Sequence, residues 1–153
     1  MVDLTTLNRT AEHLKTEGDL KGLQKLCMEN GVDEEEAADY MEGYTASLFN
    51  SFILAAAKLK KERNALKDLP TALSLYTDEI INLALDEVVA AGILRDDKNL
   101  VNALGLIVKE ASRTRKTIPA EIAKAAGIPS NVPMGDVDRV TFVKIIKTYY
   151  TGA

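Results

Sequence analysis

Along its whole length the chain places apolar side chains three and four residues apart, between residues that start and stop helices. Side chains at that spacing share one helix face, whereas a half-buried strand needs strict alternation. No run of alternating Val, Ile, Thr and Tyr occurs, so the pattern predicts an all-α protein. Asp3 caps a first helix with Leu4, Leu7, Ala11 and Leu14 on one face, and Gly18 stands where a left-handed stop belongs. Asp19 caps a second helix carrying Leu20, Leu23, Leu26 and Cys27, stopped by Asn30-Gly31. Asp33 starts a third, with Glu36 placed to reach back in a capping box, Ala37, Tyr40 and Met41 inward and Gly43 at its end.

A long helix is expected over 45–66, with Leu48, Phe49, Phe52, Ile53, Ala56, Leu59, the Arg63 stem and Leu66 in one stripe. Pro70 breaks the pattern and opens the next helix, to about residue 91, with room for a kink at 77–79. The stretch IINLAL at its centre is apolar nearly all round and reads as the buried core helix. Asp96 or Asp97 then caps a helix with Leu100, Leu104, Ile107, Val108 and Ala111 inward. Pro119 opens a short helix ending at Gly127, the loop IPSNVPMGD follows, and a last helix covers 138–150 with Val140, Phe142, Val143, Ile146 and Tyr149 inward. The expected architecture is a compact bundle of six to eight helices, with 1–43 as a helical hairpin or three-helix subunit and 44–153 as the helical core. Gly22 and Gly105 lie inside helical patterns, where glycine costs about 1 kcal/mol relative to alanine. Each is expected to permit close approach of two helices.

The 153 residues suffice for one core without staples, hiding roughly 70% of the unfolded surface. Cys27 is the only cysteine, so no internal disulfide forms, and a reducing compartment is expected. The opening MVDLTTLNRT is polar from its third residue and does not read as a secretory signal. No apolar run approaches the roughly 18–20 residues of a membrane span. Together these point to the cytoplasm.

Catalytic and cofactor motifs are missing. Structural zinc needs four Cys or His ligands, and only His13 and Cys27 are present. DEEEAADYME lacks the glycine and ligand spacing of a calcium loop. Cys27 lies between Leu26 and Met28 on an apolar face, a poor position for a nucleophile. Neither phosphate-binding glycine motif occurs, nor a Gly-x-Ser-x-Gly elbow. No enzyme activity, metal or cofactor is expected.

What remains is charge. Residues 1–94 carry 9 basic and 17 acidic side chains, and residues 95–153 carry 10 basic and 6 acidic. Asp33, Glu34, Glu35, Glu36, Asp39 and Glu42 crowd one short helix. They read either as a solvated face complementing the helix dipole or as a face for a basic protein partner. Lys58, Lys60 and Lys61, with Arg113, Arg115 and Lys116, are the candidate phosphate contacts. Residues 120–132 imitate the first helix and turn of a helix-turn-helix, but Pro129, Pro133 and Gly135 spoil the second helix. Residues 23–41 imitate it too, with a recognition helix too acidic for a phosphate backbone. Direct nucleic-acid binding is therefore the alternative, together with assembly of an oligomer through an exposed helix stripe.

Two stretches, AEHLKTEGDLKGLQKLCMENGVDEEEAADYMEG at 11–43 and PMGDVDRVTFVKIIKTYYTG at 133–152, resemble small, mostly uncharacterised helical proteins of phages and mobile elements of Gram-positive bacteria. The resemblance implies a non-enzymatic protein that binds a bacterial host or defence protein. One such role is an anti-CRISPR-type inhibitor whose acidic helix occupies the basic channel of a Cas effector. It assigns no functional residues.

Overall fold

The computed structural model describes residues 3–152. Nine helices and one two-stranded ladder are present among them. The order is α1 (Leu4–Thr16), α2 (Leu20–Glu29), α3 (Glu35–Glu42), α4 (Ser51–Ala65), α5 (Thr71–Leu83), α6 (Glu87–Ile93), α7 (Leu100–Thr114), β1 (Lys116–Thr117), α8 (Ala120–Ala126), β2 (Pro133–Met134) and α9 (Arg139–Thr151). The all-α expectation holds, with nine helices in place of six to eight. No helix among the described residues is long and apolar enough to cross a membrane.

The extra helix comes from a break that the sequence reading put in the wrong place. No kink forms at 77–79; the helix stops at Leu83, and Asp86 starts another by accepting from the Val88 N–H at 3.0 Å. The helix expected from residue 45 begins only at Ser51, because Asn50 turns the chain and accepts from the Ile53 N–H at 2.8 Å. The next helix after α6 opens at Leu100, later than Asp96 or Asp97 would place it, and the carboxylate that meets the Leu100 N–H belongs to Glu62 of α4.

The chain divides into two compact units, Met1–Leu100 and Val101–Ala153. The expected boundary at residue 43 does not mark this division, because one apolar cluster joins Ala11, Leu23, Cys27, Ala37 and Tyr40 to Leu48, Phe49, Leu54 and Ala57. In the first unit α1 packs on α2, α2 on α3, and α4 on both α5 and α6. The central helix is α4, where Leu54, Ala55, Ala56, Ala57 and Leu59 are all buried. Three consecutive alanines let neighbours close in on several sides. The IINLAL stretch, expected to be the buried core helix, runs past the end of α5 and is only partly buried: Ile80 and Ala84 are enclosed while Leu85, beyond the helix, lies open.

In the second unit Ala103, Leu104 and Ile107 of α7, Ala123 of α8, and Phe142, Ile146 and Tyr150 of α9 are buried. Val108 and Val140, expected inward, are exposed. The inward stripe of α9 runs at 142, 146 and 150, so its phase is rotated from the expected one. The proline-rich loop contains a strand: Lys116 pairs with Met134 and Thr117 with Pro133 in an antiparallel ladder that brings together the two ends of the segment containing α8.

Both mid-helix glycines were expected at close contacts, and one is. A Cβ on Gly22 would lie 2.8 Å from Leu14 Cδ2 of α1 and 2.4 Å from the capping carboxylate of Asp19. Around Gly105 there is nothing within 4 Å. Gly105→Ala is therefore expected to stabilise the protein by about 0.5–1 kcal/mol, through helix propensity alone. Urea unfolding of the two proteins side by side measures it, and a loss of stability would show that the site is filled.

Candidate functional site

Glycine stops shape the acidic face at both ends. After α2, Gly31 turns left-handed at φ 70°, its N–H bonds to the Met28 carbonyl and the Val32 N–H to Cys27. This is the double bond of a Schellman stop, with Val32 buried as its apolar anchor. The chain then reaches Asp33, whose carboxylate accepts from the Glu35 N–H at 3.2 Å. The expected capping box is half made: the Glu36 N–H bonds to the Asp33 carbonyl at 3.3 Å, but among the described residues the Glu36 side chain makes no bond back to the Asp33 N–H. At the other end Gly43 repeats the stop, and the Tyr44 N–H bonds to the Asp39 carbonyl at 2.9 Å.

Between these stops α3 has two faces. Ala37 and Tyr40 are buried and Met41 is half-buried, as the apolar spacing predicts. Asp33, Glu34, Glu35, Asp39 and Glu42 are exposed, and Glu36 is half-buried. Ion pairs lie elsewhere, among them His13–Glu17, Lys25–Glu29, Lys58–Glu62, Arg63–Asp78, Arg95–Asp97 and Glu110–Arg113. Six carboxylates in ten residues thus carry no cationic partner among the described residues. They also do not converge, since no group of three or more acidic, His or Cys side chains among the described residues is arranged to hold a metal ion. The face is a splayed, solvent-facing array. Next to its last turn Tyr44 stands 76% exposed. Sequence reasoning missed Tyr44; the glycine stop just before it, which leaves its side chain beyond the helix end, is the signal that could have found it.

The helix is fastened from behind by Lys15 of α1. Its ammonium donates to the Tyr40 carbonyl and lies 4.3 Å from the centre of the Tyr40 ring. A cation at that end suits the helix dipole. Cys27 lies in the core under the same face. Burial foremost, then the charges of Glu36 and Asp33, push its thiol from the ordinary 9.0 up to about 11. His13, on the outer side of α1, is 3.2 Å from the Glu17 carboxylate.

The raised thiol has a consequence for stability. In the unfolded chain Cys27 ionises near its ordinary value, whereas the fold keeps it neutral. Stability is therefore full below about pH 9 and falls as pH rises from 9 towards 11. Cys27→Ala should flatten that decline, measured by urea unfolding at pH 8 and 10.5. In the native protein at pH 8 the thiol should resist alkylation.

The six basic candidates are split three and three between the two units. Lys58 is removed from the list: its ammonium donates to the carbonyls of Ile93, Arg95 and Lys98 at 2.7, 2.7 and 2.9 Å. An ammonium has three donors, and all three are used inside the fold. Lys60 and Lys61 of the same helix are exposed. Lys61 borders an open-sided cavity of about 390 Å³, walled also by Met28, Leu54, Ala57 and Leu94. Arg113, Arg115 and Lys116 belong to the second unit. Arg113 is held 2.9 Å from Glu110, while Arg115 and Lys116 are exposed around the start of β1. The helix-turn-helix imitation at 120–132 ends as the prolines require: Gly127 stops α8, β2 follows, and the next helix is α9.

The division into units follows the charge. Met1–Leu100 holds 11 basic and 19 acidic side chains, and Val101–Ala153 holds 8 basic and 4 acidic. No protein-family model, curated protein or solved structure matches the chain.

Proposed function

We propose that the chain is a non-enzymatic interaction protein that docks through the outer face of α3 onto a strongly basic surface of a bacterial protein. The observation that carries this reading is the splayed row of Glu34, Glu35, Asp39 and Glu42, uncompensated by any cation among the described residues and finished by the exposed Tyr44. Exposed like charges repel one another and steer association with an opposite potential. An exposed tyrosine at the edge of such a row supplies the apolar anchor that charge alone lacks. The resemblance to phage and mobile-element proteins supports a defence nuclease as the partner, and the basic channel of an RNA-guided effector is a surface of the fitting charge. The reading is of an inhibitor that fills a place meant for nucleic acid.

The test is binding of the purified protein to a panel of guide-loaded Cas effectors, with target DNA as competitor. The wild type is expected to bind one of them, to be displaced by DNA, and to suppress cleavage. Changing Glu34, Glu35, Asp39 and Glu42 together to Lys is expected to abolish binding while the helical circular dichroism persists. Asp33 and Glu36 are left in place, because one caps the helix and the other is half-buried. Undiminished binding by the four-lysine variant removes the acidic-face mechanism.

A second reading is favoured by the charge of +4 on Val101–Ala153 with Arg115 and Lys116 exposed: a DNA-associated accessory protein. A gel shift that weakens steeply between 50 and 200 mM salt, as phosphate contacts do, would favour it. No shift at the lowest salt would set it aside.

A further inference from the structure

Lys58 and Glu62 are one helical turn apart on α4, 3.9 Å from each other, and each is half-buried. Their partners lie at the end of one helix and the beginning of the next. Lys58 takes the carbonyl of Ile93, the last residue of α6, and those of Arg95 and Lys98 beyond it. Glu62 accepts the N–H of Leu100, the first residue of α7, at 2.6 Å.

Helix ends leave carbonyls and N–H groups without intrahelical partners. At α1, α2, α3 and α8 a following glycine helps to solve this within the local chain. Residues 94–99, LRDDKN, contain no glycine, so the left-handed stop is not at hand. Besides local bonds such as Arg95 N–H to the Gly92 carbonyl, the end of α6 and the start of α7 each receive a bond from outside, from one cation and one anion of α4, each of the sign that the helix end prefers. All these bonds lie within Met1–Leu100, and the segment they hold is the one through which the chain passes to Val101.

We propose that Lys58 and Glu62 form a clamp on the segment 94–99 of the first unit. While both are in place, 94–99 is a fixed connector; with either lost, it becomes a mobile linker although the helices around it stay folded. The pair is thus a conformational device, independent of what the acidic face binds. It assigns Lys58 a purpose other than phosphate contact.

Limited trypsinolysis reads the clamped segment directly, because Arg95 and Lys98 are both in it. In Lys58→Met and in Glu62→Ala, cleavage after Arg95 and Lys98 is expected to speed up by about tenfold or more, since local opening sets such rates. Cleavage elsewhere, after Lys25 or Lys147 for example, should keep its wild-type rate. Glu62→Gln, which keeps an acceptor for the Leu100 N–H, is expected to restore much of the protection. Hydrogen exchange at the Leu100 amide should follow the same order. Wild-type cleavage at Arg95 and Lys98 in both folded variants overturns the clamp. Uniformly faster cleavage at every site in both variants overturns it too, since the pair would then only support general stability.

Discussion

Asn8→Ala is expected to destabilise the first unit by about 2–4 kcal/mol, a large effect for a half-exposed polar residue. The side-chain amide of Asn8 donates to the Phe49 carbonyl at 2.8 Å and accepts from the Phe49 N–H at 3.0 Å, in the manner of a neighbouring strand. Phe49 is 1% exposed, so alanine would strand two polar groups of a buried backbone. The same contact holds the segment that carries Leu48 and Phe49 into the core before α4 begins. Asn8→Asp would keep the acceptor and lose the donor, and should fall between alanine and wild type. Urea unfolding followed by circular dichroism, with hydrogen exchange at the Phe49 amide, checks both. A loss below about 0.5 kcal/mol for alanine, the range of ordinary surface changes, would show that water replaces the amide freely.

Gly135→Ala is expected to cost the second unit about 1–3 kcal/mol or more, by overpacking. A Cβ at this position would come within 2.0 Å of the Ala111 carbonyl oxygen and 2.9 Å of its carbon, both backbone atoms of α7. Side chains can turn away from a clash; a helix backbone cannot without unwinding. The Thr114 hydroxyl donates to the Asp136 carbonyl at 2.8 Å, so the segment after β2 is drawn onto the last turn of α7. The added methyl should lift that segment and raise exchange from 133 to 138 and over the last turn of α7. The contrast with Gly105→Ala is the useful control: the same substitution has opposite expected signs, because one site is full and the other empty. Because the chain has two compact units, exchange resolved by residue is a better measure than a single melting curve.

These two sites mark what the sequence does and does not disclose. Local punctuation was legible: Asp3 and Asp19 cap the helices they were read to cap, and Gly18, Gly31, Gly43 and Gly127 stop theirs. Such signals act over four residues, so a single chain displays them. Asn8 and Phe49 are 41 positions apart, and Glu62 reaches Leu100 across 38. Nothing in either neighbourhood marks such a partner. The start of α4 was misplaced for the same reason: Leu48 and Phe49 fit a helical stripe by spacing, yet they are buried from an irregular segment that a distant asparagine secures.

The candidate site divides in the same way. The acidic row was legible because five of its side chains need only remain in solvent. The basic set was not, since a lysine in a helix looks alike whether its ammonium meets water or three carbonyls. Only the fold distinguishes Lys58 from Lys60 and Lys61. Tyr44 went unread because its exposure depends on the turn at Gly43, one residue earlier.

The claim that the outer face of α3 is the docking surface is tested most directly by hydrogen exchange on the protein alone and in complex with the effector it binds. Protection gathered on residues 33–44, with 113–134 exchanging as in the free protein, is the expected result. Protection confined to 113–134, with the acidic helix exchanging as before, would contradict it.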